Sequence, residues 1–134
     1  MATAKVTYTG NLRNSCTHIQ SGTEFLTDAP IDNKGKGESF SPTDLVATAY
    51  LSCMLTIIGI FCQEHDLPFE HGEGTVTKIM ASHPRRIGRL ELTLDLTNNG
   101  WDQKTCIKIE RAAKTCPVAL SVSNDMKIEL IFKF

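Results

Sequence analysis

From Leu45 to Cys62 the chain carries no charged side chain, and this run follows Ser41-Pro42-Thr43-Asp44. Those four residues are a helix start: the Ser hydroxyl can accept from free N–H groups, Pro fits the first turn, and Asp44 favours the positive helix end. The helix should continue to His65 or Asp66, ahead of Leu67-Pro68. A helix without a charged face has to be buried nearly all round.

Such a run approaches the roughly 20 residues that span a bilayer. Against a membrane span stand Thr48, Tyr50, Ser52, Thr56 and Gly59 inside it, and the lack of Lys or Arg clusters on its flanks. A central helix wrapped by sheet fits better. A chain of 134 residues has limited means to cover a helix on every side. A homodimer that packs two such helices together is therefore expected.

The rest of the chain reads as a soluble α+β protein. Its apolar fraction of 41% is that of an ordinary globular protein, and its length suits one domain over residues 1–134. With 14 basic against 15 acidic side chains, no long-range field attracts nucleic acid or an anionic membrane. The start, Met1 to Val6, lacks a basic segment followed by an apolar run, so a cytoplasmic location with reduced thiols is expected.

Short strands are expected between Lys5 and Thr27, with a turn at Ser21-Gly22, and a loop from Asp28 to Glu38 rich in Pro, Asn and Gly. Two further strands, Thr75–Met80 and Ile87–Leu96, flank a turn at Ser82 to Arg86. In the second, Leu90, Leu92, Leu94 and Leu96 alternate with Glu91, Thr93 and Asp95, which sets one face on the core. Asp102 can cap a second, amphipathic helix ending near Thr115, and Lys127–Phe132 reads as a last strand.

Five cysteines, Cys16, Cys53, Cys62, Cys106 and Cys116, include no C-x-x-C spacing, so neither a disulfide framework nor a zinc site is suggested. Cys53 and Cys62 fall on opposite faces of the first helix. Cys106 reads as a side chain packed on the second helix, and Cys16 as a strand or turn residue. Cys116 precedes Pro117, which suits the first turn of a short helix through Ser121; the partial positive charge there would favour thiolate. Cys53 lies in apolar surroundings, where a thiol is inert unless a cation stands nearby.

The segment Ser41-Pro42-Thr43-Asp44-Leu45-Val46-Ala47-Thr48-Ala49-Tyr50-Leu51-Ser52-Cys53 resembles the cysteine-bearing helix of the OsmC/Ohr family, the osmotically inducible and organic hydroperoxide resistance proteins. Arg111-Ala112-Ala113-Lys114-Thr115-Cys116-Pro117-Val118 is similar to that family's second cysteine segment, and the order of elements matches over essentially the whole chain. The resemblance implies an intertwined homodimer with antiparallel sheets around two central helices, and active sites at the subunit interface. It also implies a thiol peroxidase of oxidative stress defence, with Cys53 attacking an organic hydroperoxide and Cys116 resolving the sulfenic acid as a disulfide. An external dithiol, by family precedent a lipoylated protein, would reduce that disulfide, and no metal or other cofactor is needed.

The family pattern departs at one point. There an early Arg holds the thiolate and a Glu after the helix Pro orients it. Here Thr43 stands at the Glu position, and Asp44 lies one residue later, about 100° around the helix. By its distance before the helix, Arg13 is the candidate Arg, and His18 is a possible further neighbour of the site. Loss of the Glu leaves a second function open on the same fold: a non-catalytic module that binds a small apolar or thiol-reactive ligand.

Overall fold

The computed structural model describes residues 1–134 as two compact units, Met1–Val46 and Ala47–Phe134. The first holds strands β1 (Ala4–Gly10), β2 (Arg13–His18) and β3 (Glu24–Asp28), a 3-10 turn at Ile31–Asn33, and the beginning of helix α1 (Pro42–Glu64). The second holds the remainder of α1, strands β4 (Glu73–Ala81) and β5 (Arg86–Asp95), helix α2 (Gln103–Ala113) and strand β6 (Lys127–Lys133).

In the first unit the strands form an antiparallel meander in the order β1-β2-β3. The β1–β2 connection turns on Asn11 and Leu12, both at positive φ, 55° and 61°. Two consecutive left-handed residues match the twist of a tight hairpin, and Asn tolerates that conformation where Leu rarely does. Leu12 is held there because its carbonyl accepts the N–H of Ala29 at 3.0 Å. The expected turn at Ser21-Gly22 joins β2 to β3, with Gly22 at φ 75°.

Helix α1 starts as its sequence dictates. Ser41 Oγ accepts the N–H of Asp44 at 3.1 Å, while Asp44 Oδ2 accepts the N–H of Ser41 at 3.0 Å. The two residues thereby satisfy each other's donors in a reciprocal cap.

In the second unit β5 is the central strand. It pairs antiparallel with β4, from Glu73 opposite Asp95 to Ala81 opposite Arg86, and parallel with β6, from Lys127 opposite Arg89 to Lys133 opposite Asp95. Antiparallel sheets were expected, and β6 is the one strand that departs from that pattern. A parallel partner needs a crossover connection, and α2 lies in the one between β5 and β6. Leu90, Leu92 and Leu94 turn their side chains to the core, together with Ile109 and Ala113 of α2. Asp102 Oδ1 caps α2 by accepting the N–H of Thr105 at 2.7 Å.

Against this core α1 lays Ala47, Tyr50, Leu51, Met54, Ile58 and Cys62, a stripe at three- and four-residue spacing. The closest approach is at Gly74 of β4. A Cβ there would stand 2.8 Å from Leu51 Cδ1 and 3.0 Å from the Thr93 carbonyl, so only glycine admits the helix at that depth.

The expectation that α1 is buried nearly all round does not hold within one chain. Of its most apolar stretch 33% is buried, and Thr48, Ala49, Ser52, Thr56 and Ile60 stay exposed. The physical reason is geometric: one three-stranded sheet and one helix cover a single stripe of a cylinder, leaving an uncharged face in the open. The short helix expected after Pro117 is also absent, and residues 117–121 form turns.

Candidate active site

Helix α1 delivers Cys53 one turn after Tyr50, so the two side chains share a face. The segment after α2 delivers Cys116, which is fully buried, while Cys53 is partly so. Cys53 packs against the core cluster that contains Cys116, and all five cysteines are free thiols.

The surroundings of Cys116 decide its protonation. Burial is the largest influence and raises its pKa, and neighbouring Cys53 raises it further; backbone N–H groups of Ala119 and Val118 act in the opposite direction. The Ala119 N–H donates to Cys116 Sγ at 3.3 Å. This corrects the expectation of a thiolate favoured by a helix end. The turn after Pro117 supplies the N–H groups of a helix end without a helix behind them, and desolvation outweighs them.

Tyr50 is a site residue that sequence reasoning missed. Its phenol is 5% exposed, and its pKa is raised first by burial and then by the nearby Cys116 sulfur. Its position three residues before Cys53 was the available signal. On the opposite face Cys62 is buried among apolar side chains, which raises its pKa and leaves it unreactive. Cys106 on α2 is raised by burial and by Asp102.

The remaining predicted residues lie in the first unit. Arg13, on β2, does not take its carboxylate from the helix start. Its Nε donates to Asp28 Oδ1 at 2.6 Å, and its Nη2 donates to Asp28 Oδ2 at 2.9 Å and to Glu38 Oε2 at 3.0 Å. Hydrogen bonds from Arg13 hold the Asp28 carboxyl below the usual carboxylate range, against the opposing effect of burial. Thr43 Oγ1 lies 3.2 Å from Ser41 Oγ, and Asp44 is engaged in the helix cap. The carboxylates that bond Arg13 come instead from the end of β3 and the following loop. His18 is exposed at the end of β2, with Nδ1 2.6 Å from Ser21 Oγ, and serves the β2–β3 turn.

The protein so defined is an α+β chain with paired thiols at the junction of a long helix and a crossover segment. It belongs to the OsmC-like family: residues 35–131 match the family described as OsmC-like protein. The chain is similar to a proposed osmotic stress induced and detoxification response protein from Psychrobacter arcticus 273-4. The two share 47% identity over 98% of this chain and 96% of that one, with a TM-score of 0.93. It shares its fold with the organic hydroperoxide resistance protein OsmC of Legionella pneumophila, at 17% identity, a TM-score of 0.75, and coverage of 100% and 98%. It shares it too with the organic hydroperoxide resistance protein OhrB of Bacillus subtilis, at 21% identity, a TM-score of 0.66, and 98% coverage of both chains. Among curated proteins there is no match.

Proposed function

We propose that the protein is a thiol peroxidase that reduces organic hydroperoxides in oxidative stress defence. The observation that carries this reading is that Cys53 packs against the core cluster holding Cys116 and is near enough to raise its pKa, which makes each sulfur a neighbour for a sulfenic acid formed on the other. Names within the family point the same way, since two relatives of this fold are organic hydroperoxide resistance proteins.

In the first step the Cys53 thiolate attacks the distal peroxide oxygen, the O–O bond breaks, and the alkoxide leaves. Cys53 is left as sulfenic acid. Cys116 then displaces its hydroxyl, and the disulfide is returned to two thiols by exchange with an external dithiol, for which a lipoylated protein is the candidate. Tyr50 and Ile57 sit one turn from Cys53 and offer an alkyl group apolar neighbours, which favours organic over hydrogen peroxide. The protein acts as a cytoplasmic homodimer, a second copy covering the uncharged face of α1 that holds Ala49, Thr56 and Ile60.

The test is single-turnover thiol loss with cumene hydroperoxide and with hydrogen peroxide. Rapid loss of two thiols, faster with the organic peroxide and abolished by Cys53→Ser, supports the assignment. Loss at the rate of a free thiol overturns it and favours a ligand-binding role for the same fold.

A further inference from the structure

Resting on the peroxidase reading, we infer that the outer face of α2 is the docking surface for the reductant, and that this reductant is a protein with an acidic surface that presents a dithiol.

Helix α2 carries charge of one sign along one side. Lys104, Lys108 and Arg111 recur at four- and three-residue spacing, which sets them on one face, and all three are exposed. Lys114, just past the end of the helix, is exposed and continues the row. Ile107, at 46% exposure, shares the face and gives it an apolar contact point. The one acid inside the helix, Glu110, lies 3.3 Å from Lys114 Nζ, and Asp102 Oδ1 is engaged at the cap by the Thr105 N–H. Lys104, Lys108 and Arg111 therefore dominate the face. The chain as a whole is close to neutral, at −1, so this concentration of cations is local.

A basic helix face is ordinarily a solvated one; the position of this face gives it a task. Only Lys114 and Thr115 separate the last residue of α2 from Cys116. Each turnover leaves Cys53 and Cys116 as a disulfide, which must be reopened by exchange. Cys116 is fully buried and Cys53 half-buried, so the sulfurs admit a slender dithiol arm and not a bulky protein surface. The body that carries the arm has to rest on neighbouring surface. Beside Cys116 that surface is cationic, and its complement is anionic. Nucleic acid, the other polyanion, carries no thiol.

The exchange balances. One thiolate of the arm attacks the more accessible sulfur, Cys53; the S–S bond breaks, and Cys116 leaves as thiolate and takes up a proton. The second thiol of the arm, deprotonated, attacks the mixed disulfide and releases Cys53. Two electrons and two protons pass from the dithiol to the cysteine pair, and the arm departs as a cyclic disulfide.

The test compares two reductants of the same chemistry: a dihydrolipoylated domain with an acidic surface, and free dihydrolipoamide, which is small and uncharged. Reduction of the preformed disulfide would be followed in wild type and in the double variant Lys104→Glu/Lys108→Glu, with circular dichroism and the rate of thiol loss to cumene hydroperoxide as controls on folding and on the peroxide step. At about 10 mM salt the variant should lose about 10-fold or more in its second-order rate with the acidic domain and little with dihydrolipoamide, and the difference should close as salt rises towards about 1 M. Equal rates of the two proteins with the acidic domain, a common slowing with both reductants, or a rate insensitive to salt overturns the docking surface and leaves the peroxidase standing. A wild type that forms no Cys53–Cys116 disulfide with the peroxide removes both.

Discussion

Arg13 and Asp28 face each other fork to fork, Nε to Oδ1 at 2.6 Å and Nη2 to Oδ2 at 2.9 Å, with the carboxylate 1% exposed and the guanidinium 27%. Glu38, at 65% exposure, adds a third bond to the same guanidinium from solvent. A bidentate pair with one buried member outranks an exposed ion pair. Asp28→Asn should therefore lower the thermal midpoint clearly more than Glu38→Gln, as scanning calorimetry of the two variants would show.

The same pair fixes the response to acid. The Asp28 pKa is held down by Arg13 from an ordinary 3.8, so the native state releases this proton more readily than the unfolded chain does. Its contribution is full above about pH 4 and is lost as the pH falls through the lowered native value. Asp95, held down by Thr97, and Asp102, held down by Thr105, carry the same sign. Urea midpoints measured between pH 7 and pH 2 should fall on the acid side, less steeply for Asp28→Asn.

Asn99 is 6% exposed and makes four bonds. Its Oδ1 accepts the N–H groups of Glu70 and His71 at 2.8 and 3.0 Å, and its Nδ2 donates to the carbonyls of His71 and Leu96 at 2.7 and 2.8 Å. Asn99→Ala strands those backbone groups and should cost at least about 1–3 kcal/mol in urea unfolding. Faster proteolysis between Leu67 and Gly72 would accompany it.

Leu92 projects from the middle of β5 into the core at 1% exposure. Its replacement by alanine leaves a cavity under α1, with an expected loss of about 2–5 kcal/mol by denaturant titration. Thr93→Ala on the other face of the strand should stay within about 0.5 kcal/mol of wild type.

Ile60 is 45% exposed on the uncharged face of α1. Under the homodimer reading, Ile60→Glu places a charge in the contact and should shift the protein to monomer in size-exclusion chromatography with light scattering. A wild type that is monomeric at micromolar concentration would sink that reading.

Much of this architecture was legible because alternation and capping are local. The four alternating leucines found β5 and its inner face, Ser41 with Asp44 marked the start of α1, and Asp102 marked that of α2. The parallel pairing of β6 was not legible, since Ile128, Leu130 and Phe132 alternate identically beside either kind of neighbour. Nor could the uncharged run tell which surfaces cover it: absence of charge reports a need for burial, not the molecule that supplies it. The cysteine pair came from resemblance, whereas Asp28 and Glu38 were hidden because their partner lies in another element. Tyr50 was hidden among residues that read simply as core.

The placement of β6 also sets an order of events. Ala81 and Arg86 close the β4–β5 hairpin across a few residues, whereas Lys127 reaches its partner Arg89 only after the intervening chain, α2 included, has been laid across the sheet. Loop closure over that span is costly in chain entropy, so the hairpin can zip early and β6 docks late. Cys116 lies in the stretch that this late docking draws into place, and the thiol pair is consequently one of the last features of the molecule to come together.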